Sequence, residues 1–349
     1  MTHTPAAPID VLLVSLGSTA GLRAADEELA ASLRRAGASV EVASAPVARP
    51  VRTLALTDLT WALQARRAAC AALDRLAPRA LIYSTTTAAL LWPRPGAIRF
   101  DAPSAANRPG RHGLWQRPLE RRRFASAPLL IAQSDGALEE SARGSARRAR
   151  ALVVPVPVEP SRAPGELGGA TARAAEARDI DAIAYAANPS KKGIDRVLEA
   201  WRASRRPGEE LVLAGASAQQ LAALLGRTST DGVRCVGALA PADYRALLRR
   251  ARVFVCAPRR EDYGIAQLEA LADGCQLVTT PAPGPYAALP IARQLDARLV
   301  GGDLARALRT ALDDPRPDYA QRARAALVPF SREAVDRVVA DELLPLLLE

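Results

Sequence analysis

A chain of 349 residues, 49% apolar and 24% charged, is too apolar for disorder and too long for one small core, so two domains of about 150 residues are expected. Two histidines in the whole chain, His3 and His112, nearly exclude Ser-His-Asp catalysis and histidine-based metal sites, and no apolar run reaches the roughly 18 residues of a membrane span. The net charge of +10 is uneven: residues 1–160 hold 21 Arg against 13 acids, the remainder 26 Lys and Arg against 24. The start, MTHTPAAPIDVLLVSLG, lacks a basic n-region and so is a poor signal peptide. Cys70, Cys235, Cys256 and Cys275 show no paired or metal-ligand spacing and are expected to be small buried hydrophobes in a reducing cytoplasm.

Taken in chain order, IDVLLVSL predicts a buried strand followed by the glycine loop GSTAG. LRAADEELAASLRRAG predicts a helix with acids early, arginines late and a glycine stop. SVEVAS, RALIYST, APLLIAQS and ALVVPVPVE continue the strand theme. Residues 161–178, rich in Pro, Gly and Ala without an apolar face, are expected to be a linker. Alternation then restarts with DAIAYAA, GIDRVLEAWRAS, ELVLAGA, AQQLAALLGR, VRCVGAL, ADYRALLRRA, RVFVCAP, IAQLEALADG and CQLVTT, and the tail is helical. Continuous apolar strands alternating with helices predict α/β architecture with parallel sheets. The division expected is a first domain over 1–160, the linker, a second over 179–330, and a helix over 331–349 packing back on the first.

In open parallel sheets, ligands bind beyond the carboxyl ends of strands. Three loops after strands therefore draw attention: GSTAG, NPSKKG and PRREDYG. NPSKKG holds Lys191 and Lys192, the only lysines of the chain. In the third loop Glu261 precedes Gly264, and Glu269 falls on the helix that follows. A helix N-terminus after glycine offers free backbone N–H groups to a diphosphate, and a carboxylate one to two turns further on can accept from vicinal hydroxyls of a ribose.

PRREDYGIAQLEALADGCQLVTT resembles the signature of family-four retaining glycosyltransferases of the GT-B fold, with Pro258, Glu261, Tyr263, Gly264, Glu269, Ala270, Ala272, Gly274 and Val278 in register. AANPSKKG matches the same family's G-R-L-x-x-x-K-G segment at Lys192 and Gly193. The resemblance implies two Rossmann-like parallel-sheet domains facing across a cleft. It implies a hexosyltransferase-type enzyme that takes a nucleotide-diphosphate sugar, retains anomeric configuration and needs no metal or other cofactor. Lys192, Glu261 and Asp101 are then the catalytic candidates. Lys192, Gly193, Glu261, Tyr263, Gly264, Ile265, Glu269 and Gly17 are the donor-binding candidates. Lys191 has no counterpart in the family pattern.

The chain also departs from that pattern. Ala187 stands where the family has an arginine, leaving Arg259 or Arg260 as substitutes on the phosphates. The family's first-domain histidine falls at Phe100 or Asp101, and its double glycine is reduced to Gly284 in APGPYAAL. These departures keep open a catalytically degenerate binding or scaffold protein on the same fold. A nicotinamide-dependent dehydrogenase is disfavoured, since no G-x-G-x-x-G follows the first strand.

The acceptor is less legible. Residues 94–123 carry eight arginines against two acids with Trp115 among them. That composition fits an anionic or lipid-linked acceptor, or peripheral attachment to an anionic membrane surface at its inner face. Arginine-rich coding on a solvated surface explains it as well. No nucleic-acid-binding module is recognisable.

Overall fold

The computed structural model describes residues 7–46, 51, 53–108, 110–142, 150–161, 178–225 and 231–349. The expected linker lies almost wholly outside the described residues. The chain divides into two compact units, residues 1–157 with 332–349, and residues 158–331. The first break comes early because Val158 N already donates to Phe330 O (2.8 Å), and Ser161 donates its N–H and hydroxyl to Asp273 Oδ1 (2.9 and 2.8 Å).

The first unit is a six-stranded parallel sheet of β1 (Ala7–Ser15), β2 (Val40–Ser44), β3 (Leu76–Tyr83), β4 (Ala97–Phe100), β5 (Leu129–Ala132) and β6 (Arg150–Val153), in the order β2-β1-β3-β4-β5-β6. Helix α1 (Ala20–Arg35) starts two residues earlier than GSTAG suggests, because the Thr19 hydroxyl accepts from Leu22 N (3.2 Å). Gly21 is thus helical, and only Gly17, at φ 49°, needs the left-handed region.

Helix α1 covers one face of the sheet, where Leu29 and Leu33 meet Val11, Leu13, Ile82 and Leu129. On the other face lie α2 (Leu54–Leu73), which buries an alanine stripe at 62, 65, 69 and 72, and α3 (Gln116–Ser126), which contributes Phe124. Cys70 is half-buried rather than buried. Alanines carry the buried stripe of α2 at this point, and they leave the thiol partly open.

The second unit is a five-stranded parallel sheet of β7 (Ile180–Tyr185), β8 (Leu211–Ala214), β9 (Val233–Gly237), β10 (Ala251–Cys256) and β11 (Gln276–Thr279), ordered β11-β10-β7-β8-β9. Helices α4 (Pro189–Lys192) and α5 (Ile194–Ser204) follow β7. Helix α6 (Pro241–Arg250) precedes β10, α7 (Ile265–Ala272) joins β10 to β11, and α8 (Leu304–Asp313) packs beside α5. Cys235, on edge strand β9, is half-buried, whereas Cys256 and Cys275 are buried. β7 leads to β8 on one side and β10 to β11 on the other. The loops after β7 and β10 therefore leave neighbouring strands at the point where strand order reverses.

The chain ends in α9 (Arg332–Val338) and two further helical segments, Val339–Leu343 and Leu344–Leu348. Val335, Val339 and Leu343 enter the core on the α1 face of the first sheet. Asp336 accepts from Ser32 Oγ (2.5 Å) and pairs with Arg35 (2.7 Å).

Candidate functional site

Asn188 caps α4 by accepting from Lys191 N (3.2 Å), and Pro189 at its first position is pre-set for helix. One turn later Gly193 adopts φ 64°, ψ 39° and turns the chain into α5. A Cβ at Gly193 would lie 1.9 Å from Ala257 O, so only glycine lets the loops after β7 and β10 approach this closely. Arg259 then stitches them together: its N–H donates to Lys191 O (3.0 Å) and its guanidinium to Ser190 O (2.7 Å).

That approach brings Lys192 Nζ to 2.7 Å from Glu261 Oε2. Glu261 is almost wholly buried and Lys192 partly so. The Glu261 backbone is fixed from a third loop, its N–H donating to Pro283 O (3.1 Å). Gly284, at φ 112°, leaves no room for a Cβ, which would meet Glu261 O at 2.3 Å. The loop after β11 thus cradles Glu261 through a single glycine.

Lys191 forms a parallel pair, its Nζ 2.7 Å from Asp262 Oδ2, while Arg260 Nε lies 2.9 Å from Asp262 Oδ1. Sequence reasoning missed this partner, although adjacent lysines facing adjacent acids (Glu261 and Asp262) were a readable signal. Arg259 and Arg260, the expected phosphate substitutes, both carry carboxylates. Arg259 grips Asp195 in a fork (2.9 and 2.7 Å) and holds its carboxyl below the usual range. A phosphate would have to displace Asp195 or Asp262 to use either guanidinium.

Tyr263 is buried, and its carbonyl accepts from Ala287 N (3.0 Å). Gly264 (φ 91°) opens α7, with Ile265 its first residue; a Cβ on Gly264 would press on the Tyr286 ring at 3.0 Å. Glu269 lies one turn along α7, beside Arg245 Nη1 at 3.7 Å. Burial pushes its carboxyl above the ordinary glutamate value, against the pull of Arg245. Arg245 is itself shared with Asp273 (2.6 Å). The Tyr185 and Tyr244 rings meet at 5.4 Å, both hydroxyls pushed up by burial and by the charge of Glu269. Sequence reasoning also passed over these two tyrosines. Ala187 faces Gly215, where a Cβ would lie 2.8 Å from Ala187 N.

Gly17 and Asp101 belong to the first unit. Gly17 borders a cavity of about 360 Å³ lined by Ser15, Arg23, Asp26, Glu27 and Ser44. Beneath it Asp26 takes Ser15 Oγ (2.6 Å) and the buried Arg99 (3.0 Å). Asp101 follows β4 and accepts from Ala102 N (2.8 Å).

Within the basic stretch, many arginines are internal anchors. Arg99 pairs with Asp26, Arg108 with Asp58 (2.6 and 2.8 Å), and Arg123 lies 4.8 Å over the Trp92 ring. Arg94 donates to Pro78 O (3.3 Å) and Arg117 to Gly110 O. Arg111, Arg121 and Arg122 remain exposed, as does His112. Glu120 is buried and bound to Ser104 N (2.7 Å), so it does not offset them at the surface. Leu114, 69% exposed, stands among them. Among the described residues no helix is long and apolar enough to cross a membrane.

Residues 180–314, which contain every second-unit site residue named above, match a family model described as Glycosyl transferases group 1. The match supports a glycosyltransferase family for this chain. Against curated proteins the sequence finds no match. Among solved structures, similarity extends to WaaG, a glycosyltransferase involved in lipopolysaccharide biosynthesis, at TM-score 0.72 and 16% identity over 94% of this chain and 99% of that one. Sucrose-phosphate synthase from Thermosynechococcus elongatus superposes at 0.68 and 16% over 97% and 99%. Anabaena Alr3699/HepE in complex with UDP-glucose does so at 0.68 and 16% over 96% and 99%. At such identities the likeness speaks for fold, which is that of GT-B glycosyltransferases: two parallel-sheet α/β domains.

Proposed function

We propose that this protein is a retaining hexosyltransferase that moves a sugar from a nucleotide-diphosphate donor to an acceptor. The observation that carries the reading is the 2.7 Å Lys192–Glu261 pair at the strand-order reversal of the second sheet, inside the segment that matches the glycosyltransferase model. Negative charge grows on the diphosphate as the glycosidic bond breaks. Lys192 and the N–H groups opening α7 are the groups present to stabilise it, in place of a metal ion. Glu269 accepts the ribose hydroxyls and Glu261 the hydroxyls of the transferred sugar. The acceptor attacks the face that the diphosphate leaves, so configuration is kept. Gly17 and Asp101 are the first-unit candidates for contact with sugar and acceptor.

A degenerate donor-binding protein is the second reading. It is favoured by Ala187 together with the carboxylates already on Arg259, Arg260 and Lys192, each of which a diphosphate would have to displace. A nucleotide-sugar panel, scored by thermal shift and donor hydrolysis on wild type, Lys192→Ala and Glu269→Ala, separates the two. Hydrolysis of one donor, lost in both variants, supports the transferase. Binding without turnover, even with acceptor extracts, supports the binding protein. No binding by any donor overturns both.

For location we propose a cytoplasmic protein that attaches peripherally to an anionic, lipid-acceptor-bearing surface through Arg111, Arg121, Arg122 and Leu114. Flotation with phosphatidylserine vesicles is expected at low salt and not at high salt. Absence of flotation at low salt would sink the idea.

A further inference from the structure

Glu261 receives two donors on the same oxygen. Lys192 Nζ reaches Oε2 at 2.7 Å and Gln267 Nε2 reaches it at 2.9 Å, while Oε1 has no hydrogen-bond partner among the described residues. A carboxylate only accepts, so the amide nitrogen of Gln267 must face Glu261. This turns the amide oxygen inward, where it finds no hydrogen-bond partner although Gln267 is only 1% exposed. That oxygen lies 3.4 Å from where a Cβ on Gly264 would stand.

An orphaned amide oxygen in a core is destabilising, and packing alone would favour leucine or methionine here, as at Leu268 and Leu271 on the same helix. The surroundings hold the amide still. Cys256 Sγ is 3.7 Å from Gln267 Nε2, 3.2 Å from Thr279 Oγ1 and 3.4 Å from Tyr286 Oη, and Thr279 and Tyr286 are themselves bonded at 2.8 Å. All three residues are buried.

The two donors differ in what they can hold. Lys192 sits on a flexible four-carbon stem and follows the carboxylate wherever it turns. Gln267, rooted in α7 and packed on every side, cannot. When an arriving diphosphate draws the Lys192 ammonium to itself, Gln267 is the donor that remains on Glu261.

We propose that Gln267 is a positioning residue. It holds the Glu261 carboxylate in one rotamer with Oε1 turned outward, and so fixes which sugar hydroxyls Glu261 meets. What Oε1 meets rests on the transferase reading; the orientation itself does not.

The test uses Gln267→Met and Gln267→Glu in the full chain. Ligand-free crystal structures are expected to show one Glu261 rotamer in the wild type and several in Gln267→Met. The thermal midpoint of Gln267→Met is expected to stay level or rise, because the orphan oxygen is gone. With UDP-glucose as probe, its hydrolysis kcat is expected to fall by roughly 10²-fold, as misplacement of a positioned group does, with the thermal shift induced by UDP unchanged. Gln267→Glu is expected to be inactive near neutrality and to recover as pH falls and the new carboxyl gains a proton to donate. A Gln267→Met protein that melts lower but keeps a single Glu261 rotamer and wild-type kcat would show a packing role only and overturn the proposal. If the wild type hydrolyses no nucleotide sugar, the transferase reading fails, and the rotamer comparison still decides the positioning.

Discussion

Both sheets reverse strand order between two neighbouring strands, β1 and β3 in the first unit and β7 and β10 in the second. The polar groups placed there are used in opposite ways. In the first unit Asp26 is closed in by Ser15 and Arg99, and both members of the ion pair are 2% exposed. Their charges cancel inside the protein. In the second unit Lys192 and Glu261 also pair, but Lys192 stays partly open and Glu261 keeps an oxygen without a partner among the described residues. One topology thus yields a structural ion pair and a binding one. What tells them apart is access to solvent, 2% for Arg99 against 19% for Lys192.

The largest expected effect tests the closed pair. Arg99→Met strands the Asp26 charge in the core and should cost about 3–5 kcal/mol in urea unfolding, and Arg99→Met with Asp26→Leu should recover most of it. If the single variant is as stable as wild type, the pair is not structural and the contrast fails. Next comes the open pair: Lys192→Ala should lower donor turnover by about 10²–10³-fold and cost clearly less in urea unfolding than Arg99→Met, since Lys192 is partly open and Gln267 stays on Glu261. A large loss of stability there would place Lys192 with Arg99 rather than opposite it.

Gly193→Ala should destabilise by about 1–3 kcal/mol, since φ 64° and the carbonyl of Ala257 both resist a Cβ. Wild-type stability in that variant would mean that the two loops are not held together as tightly as the geometry requires. The smallest effect is a pH dependence. Burial raises the Glu269 carboxyl above its ordinary 4.5, so on acidification it takes up a proton before an exposed glutamate does. Nucleotide affinity, followed by calorimetry, should weaken a few-fold in that window, and Glu269→Gln should be weak and flat across it. The sign for folding is the reverse. A carboxyl with a raised folded value contributes most to stability below its unfolded value, and that contribution is lost as pH rises through the folded one.

Strands rich in Val, Leu and Ile were legible because a parallel sheet buries both faces. Helix α2 left little trace, since its buried stripe is alanine at 62, 65, 69 and 72 rather than a row of large apolar side chains. β4 was obscured by its four-residue length and by Arg99, a charge that reads as surface until its partner Asp26, far back in sequence, is brought beside it. The stretch 94–123 looked uniformly basic for the same reason: sequence counts charges but does not show which are already paired. At the site, motif spacing pointed to Lys192, Glu261 and Glu269. It did not point to Gln267, whose role depends on a rotamer, or to Asp262, whose value lies in facing Lys191.

The placement of α9 also orders events in time. The α1 face of the first sheet is completed by Val335, Val339 and Leu343, which leave the ribosome only after all of residues 158–331. At bacterial to eukaryotic elongation speeds this amounts to roughly ten to thirty seconds during which Val11, Leu13 and Leu33 lack their last cover. The second unit is continuous in sequence and can finish folding within that interval. The first unit cannot complete this core until its C-terminal residues are made.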